Sequence, residues 1–242
     1  MRRHQKKSNV MEKGTKVMCF DEKTSWLTLT IGSIINITAF VHLWTEKQVV
    51  PAMTLIIWQY ALLMQIPEGL AWRDIRTKKN ISDGVQKSAF ALNVLQPFVT
   101  FLVVLGVSVL TKKSLPVSFW IGAGLLAVYG IYFGVKGAQR KIDFDMKPSS
   151  QCKHLVYRWF DQITERPDAV ARCLLYLVTV VLLLSGLPRL WFWTTTGIFA
   201  VSFIVSRFLY PCATASTWCW SIVLAGLITW MVGVQTKESS TV

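Results

Sequence analysis

Glu68 is the residue around which chemistry is most concentrated in this chain. Gln65, Glu68 and Trp72 recur at i, i+3 and i+7, so they share one face of a helix, and Pro67 and Gly69 flank the carboxyl group. A carboxyl group in apolar surroundings can exchange a proton, hold a cation or accept hydrogen bonds from a polar solute. A neighbouring amide adds both donors and acceptors. Asn93 and Gln96 repeat the i, i+3 spacing beside Pro97, which lacks an N–H and so opens the backbone near Asn93. Trp218 and Cys219 follow Ser216 and Thr217 in a third apolar stretch. These seven residues, Gln65, Glu68, Trp72, Asn93, Gln96, Trp218 and Cys219, are the expected lining of a polar pocket. Two plainer readings stand beside it. The amides could serve only as hydrogen-bonding glue between helices. Glu68 could snorkel to the membrane surface while Pro67 kinks the last turn.

The elements that carry these residues follow from composition. Of 242 residues, 52% are hydrophobic and 16% are charged, against about 25% charged in soluble domains. The apolar residues come in blocks of about twenty, the length that crosses a bilayer core of ~30 Å. Seven blocks are expected to span: 26–44, 49–72, 88–110, 117–135, 171–188, 190–210 and 213–234. Backbone donors in lipid must be satisfied within the segment, and no alternating ten-residue strands occur, so the fold class is an all-α, polytopic membrane helix bundle. Residues 1–25 form a basic tail, 26–234 the seven-helix domain and 235–242 a short tail. Within the long connection at 136–170, Leu155, Val156, Trp159, Phe160 and Ile163 fall on one helical face, which predicts an interfacial helix.

The net charge of +13 is arranged for a membrane and gives no reason to expect a specific nucleic acid. Seven Lys/Arg precede the first span, five fill the second loop, eight fill the fourth connection, and Arg207 precedes the last span. That side holds 21 of 26 basic residues. The positive-inside rule then places the N-terminus in the cytosol and the C-terminus outside or in a lumen, with anionic lipid as partner at the cytosolic face. No secretory signal pattern precedes the first span. Asn80-Ile81-Ser82 is expected to stay unglycosylated on the cytosolic side. The five scattered cysteines do not suggest a disulfide framework.

Other chemistries find no residues. No lysine lies within a span, which excludes a retinal Schiff base. Potassium-filter, Walker, His-Glu-x-x-His and Gly-x-Ser-x-Gly patterns are absent. Cys19, Cys152, His154 and Glu68 could together bind zinc, but Cys-x-His alone is a weak signal, and no metal or cofactor is expected.

Five short patterns occur in order: Met18-Cys19-Phe20 with Ser25; Gln65, Glu68, Gly69 and Trp72; Gln96-Pro97; Cys152, His154, Leu155, Tyr157 and Trp159; and Ser216, Trp218 and Cys219. In this order the chain resembles a family of multi-pass membrane proteins of bacteria and large DNA viruses that has no assigned activity. That family's chains open at the position of Met18, which seventeen residues precede here. The resemblance implies the same architecture, and it adds Cys19, Ser25, Cys152 and His154 as motif residues at the cytosolic face. Binding or transport of a small solute, ion or lipid is the leading expectation. A structural or sensor role without ligand chemistry is the alternative. A lipid-acting enzyme, with Glu68 as general acid/base and Cys19, Cys152 or His154 as nucleophile or ligand, is the least favoured.

Overall fold

In a computed structural model, which describes residues 21–139, 146–148, 154–157, 167–209 and 222–238, the apolar blocks form helices. Helix α1 (Glu22–Thr45) starts where the Asp21 carboxylate accepts the Thr24 N–H at 2.8 Å, an N-cap that also lowers the pKa of Asp21. Its buried stripe is Ser25, Thr28, Gly32, Asn36, Ala39 and Leu43, at spacings of three and four. Leu27, Ile31, Ile34, Ile37 and Val41 face outward. Small and polar residues inside with large apolar residues outside invert the arrangement of a water-soluble helix and suit lipid.

Helices α2 (Val49–Leu62) and α3 (Gln65–Lys78) are halves of one 30-residue rod. The break between them has a definite cause. Pro67 has no N–H to offer the Leu63 carbonyl, which takes the Ile66 N–H at 3.0 Å instead. The opening therefore falls one turn before the proline, and the helix continues to Lys78. Glu68 is not at the helix end, as the span boundary at 72 had suggested.

The remaining helices are α4 (Asp83–Thr111), α5 (Val117–Ala138), α6 (Pro167–Leu184), α7 (Arg189–Leu209) and α8 (Val223–Glu238). Among the described residues, five helices are long and apolar enough to cross a membrane: Glu22–Thr45, Val49–Lys78, Asp83–Thr111, Val117–Lys136 and Arg189–Leu209. Val170–Leu184 and Val223–Thr236 are shorter apolar helices. The protein is thus a mostly helical membrane-type chain.

Close approaches at glycine fix the packing. A Cβ on Gly32 would lie 2.7 Å from Leu62, and one on Gly69 would lie 2.9 Å from the Trp26 ring, so α1 runs antiparallel to the α2–α3 rod. Gly226 faces Asn36 and Gly233 faces Leu43, so α8 runs parallel to α1. The main core joins Leu55, Trp58 and Leu62 of α2 to Val104, Phe119, Leu183 and Leu184.

The long connection departs from expectation. Leu155–Tyr157, expected to be helical, is strand β2, paired antiparallel with β1 (Met146–Pro148) in the register Met146↔Tyr157 and Pro148↔Leu155. Leu155 and Tyr157 are buried and Val156 between them is less so, the period of two that a strand imposes. Trp159, Phe160 and Ile163 lie outside the described residues.

Candidate functional site

The first turn of α3 is buried through Gln65, Pro67, Glu68 and Gly69. Glu68 is 1% exposed and Gln65 is fully enclosed, so the snorkelling reading of Glu68 does not apply. The Tyr157 hydroxyl donates to Glu68 Oε1. Among the described residues, Gln65 finds no hydrogen-bond partner for either Oε1 or Nε2. On the facing helix, the Gly32–Leu62 and Gly69–Trp26 contacts bracket Thr28, which is buried opposite this turn together with Ser25. Buried polar side chains thus occur on both helices here, Gln65 and Glu68 on α3 and Ser25 and Thr28 on α1.

The hairpin supplies the cover. Met146, Leu155 and Tyr157 pack with Met64, Ala71 and Ala89 in a second apolar cluster, which Trp72, Ile75 and Phe90 border. The Met146 N–H donates to Gln86 Oε1 at 3.3 Å, and Gln86 Nε2 donates to the Ile81 carbonyl at 3.0 Å, which ties the hairpin to the start of α4. Asp74 braces the same end by accepting from the Ser82 N–H at 3.0 Å and pairing with Lys78 at 2.9 Å. His154, one residue before β2, is buried, and burial lowers the pKa of its imidazole below the ordinary value.

The other expected residues fall elsewhere. Gln96 is buried between α4 and α6, where the Tyr176 hydroxyl donates to its Oε1 at 2.6 Å. Asn93 is half-buried and its Nδ2 makes no hydrogen bond. Next to it, the Tyr60 hydroxyl donates to the Leu92 carbonyl at 3.1 Å. Trp72 stands between the hairpin cluster and a cavity of about 610 Å³ that Asp21, Glu22, Lys23, Trp26, Ile75 and Arg76 also line. Cys19, Cys152, Trp218 and Cys219 lie outside the described residues.

Two features exceed the sequence reading. Tyr157 was noted only as part of a motif, with nothing to show that it reaches Glu68. Ser33 and Asn36 of α1 form a chain with Gln59 of α2: Asn36 Nδ2 donates to Gln59 Oε1 at 3.4 Å, and Gln59 Nε2 donates to Ser33 Oγ at 2.9 Å. This chain lies past the Gly32–Leu62 contact, toward the opposite end of α1, where Trp230 Nε1 donates to His42 Nδ1 at 3.2 Å. The signal was present in Gln59, a lone amide in an otherwise apolar α2. Among the described residues, no three His, Cys, Asp or Glu side chains gather as metal ligands.

No family model, curated protein or solved structure matches the chain.

Proposed function

We propose that this is a seven-span membrane protein, with its N-terminus in the cytosol, that binds or transports a small polar solute or cation at Gln65 and Glu68. The observation that carries the reading is Gln65. A fully enclosed amide without a hydrogen bond costs about 1–3 kcal/mol, and it lies one turn from a buried carboxyl group, on the same face. A solute with both a donor and an acceptor would serve the amide, and a positive group on it would serve Glu68. The polar seam through Thr28, Ser33, Gln59 and Asn36 gives such a solute a direction of travel.

The orientation rests on the basic residues. Lys23, Arg73, Arg76, Lys78, Lys79 and Lys87 gather at the end where the hairpin docks, and Lys47, Lys112 and Lys113 are at the other. That basic end would rest on anionic lipid. Single cysteines at Lys79 and Lys112, probed with a membrane-impermeant thiol reagent on intact cells, test it: labelling at 112 and protection at 79 are expected, and the reverse would invert the orientation.

Native mass spectrometry of wild type beside Glu68→Gln tests the site. A small bound mass present in wild type and lost in the variant is expected. Identical apo masses, with the variant only less stable, would overturn the reading. The Tyr157–Glu68 bond favours that second outcome's meaning, a structural role in which Glu68 simply anchors the hairpin.

A further inference from the structure

The cavity at the start of α1 is separate from the Gln65–Glu68 site and carries its own chemistry. Asp21, Glu22, Lys23, Trp26, Trp72, Ile75 and Arg76 enclose about 610 Å³, within the ~300–1,000 Å³ of small-molecule sites. Among the described residues that line it the formal charges cancel, with two carboxylates against two cations. The opposite poles lie side by side: Arg76 Nη2 is 2.8 Å from Glu22 Oε2. Two indoles border these charges, and Trp26 is fixed in place against Gly69. Tryptophans at the end of an apolar stretch mark the headgroup level. From the cavity, Leu27, Ile31 and Ile34 run along α1 at i, i+4 and i+7 as an exposed apolar ridge.

We propose that this cavity binds the headgroup of a zwitterionic phospholipid, with an acyl chain lying along Leu27, Ile31 and Ile34. The ammonium of a choline or ethanolamine headgroup meets Asp21, Glu22 and the faces of Trp26 and Trp72, since indoles attract cations. The phosphodiester meets Lys23 and Arg76, whose guanidinium carries five N–H donors and keeps most of them after pairing with Glu22. An anionic headgroup without an ammonium would leave the two carboxylates facing added negative charge. The ridge selects a membrane lipid over the free headgroup. The proposal does not depend on what Glu68 binds.

The test is native mass spectrometry of the full chain in detergent, with phosphatidylcholine, phosphatidylethanolamine and phosphatidylglycerol of identical acyl chains in equal amounts. Wild type is expected to retain one zwitterionic lipid with a preference over phosphatidylglycerol of about fivefold, the upper worth of one exposed ion pair between the ammonium and a carboxylate. The pair Glu22→Gln and Arg76→Gln should bring that preference to parity. Trp72→Leu should lower retention and Trp72→Phe should keep it, a contrast that a general loss of folding would not give. Equal or stronger retention of phosphatidylglycerol by wild type would overturn the proposal. So would a preference that survives the charge pair, or equal retention by both Trp72 variants. Binding of glycerophosphocholine as strong as that of the intact lipid would replace the membrane lipid with a soluble ligand and overturn the role of the ridge.

Discussion

Tyr176 reaches Gln96 from a helix of the bundle, whereas Tyr157 reaches Glu68 from a three-residue strand in a connection. Both tyrosines donate to a buried polar side chain on a spanning helix, yet the two regions differ in what surrounds the bond. Around Gln96 the helices α4 and α6 are in contact, and the Thr100 hydroxyl donates to the Gln96 carbonyl at 3.1 Å. Around Glu68 the neighbouring Gln65 has no hydrogen bond among the described residues, and the donor arrives on a hairpin that packs through a small apolar cluster and bonds to Gln86. A complete polar contact made between helices is what packing needs. An incomplete one, closed by a small separable element, is what a binding site needs.

The contrast can be broken at either end. Tyr176→Phe leaves the buried Gln96 oxygen without its donor, so thermal unfolding should show a loss of about 1–3 kcal/mol with ligand retention unchanged. Changed retention there would make the two regions alike. Gln65→Leu should act in the opposite sense. Removing an unserved amide leaves stability unchanged or raises it by up to about 1–2 kcal/mol, while bound ligand falls by about tenfold, the worth of ~1.4 kcal/mol. A clear loss of stability in that variant would return Gln65 to the packing class. Tyr157→Phe also strips a donor from a buried oxygen and should cost about 1–3 kcal/mol, but its effect should appear as faster amide exchange confined to the hairpin. Exchange spreading through α3 and α4 would mean that the hairpin is integral to the bundle.

The smallest effect is one of pH. The His154 pKa is lowered in the folded state by burial, so the unfolded chain binds the proton first as pH falls. Stability from this group is complete above the ordinary histidine pKa of about 6.5 and is lost as pH falls below it toward the folded value. Unfolding temperature should therefore drop between about pH 7 and pH 5, and His154→Gln should flatten that slope. A slope unchanged by the substitution would assign the pH dependence to other groups.

The sequence made the helices legible because each apolar block is long enough to decide its own structure. It also brought Gln65 and Glu68 to one buried face, since register inside a helix is fixed by spacing. It failed where the element was short. Three-residue strands leave almost no periodicity, and a helical projection placed Leu155 and Val156 together when the strand turns them to opposite sides. Pro67 was read correctly as a disturbance and in the wrong place, because the carbonyl it leaves unserved belongs to Leu63. Asn93 and Gln96 share a helical face, yet only Gln96 is drawn to α6. Which neighbouring helix a polar residue meets depends on tertiary packing, which spacing alone does not encode.

The parallel contact between α1 and α8 bears on how the chain is made. Asn36 is buried because Gly226 lets α8 come so close that a Cβ there would overlap its Oδ1. In chain order α1 comes well before α8, so during synthesis Asn36 emerges before the helix that covers it. Gln59 arrives with the second segment and offers the first partner. Synthesis of α1 and closure over Asn36 are therefore separate events, and α8 seals a polar contact that α1 and α2 begin.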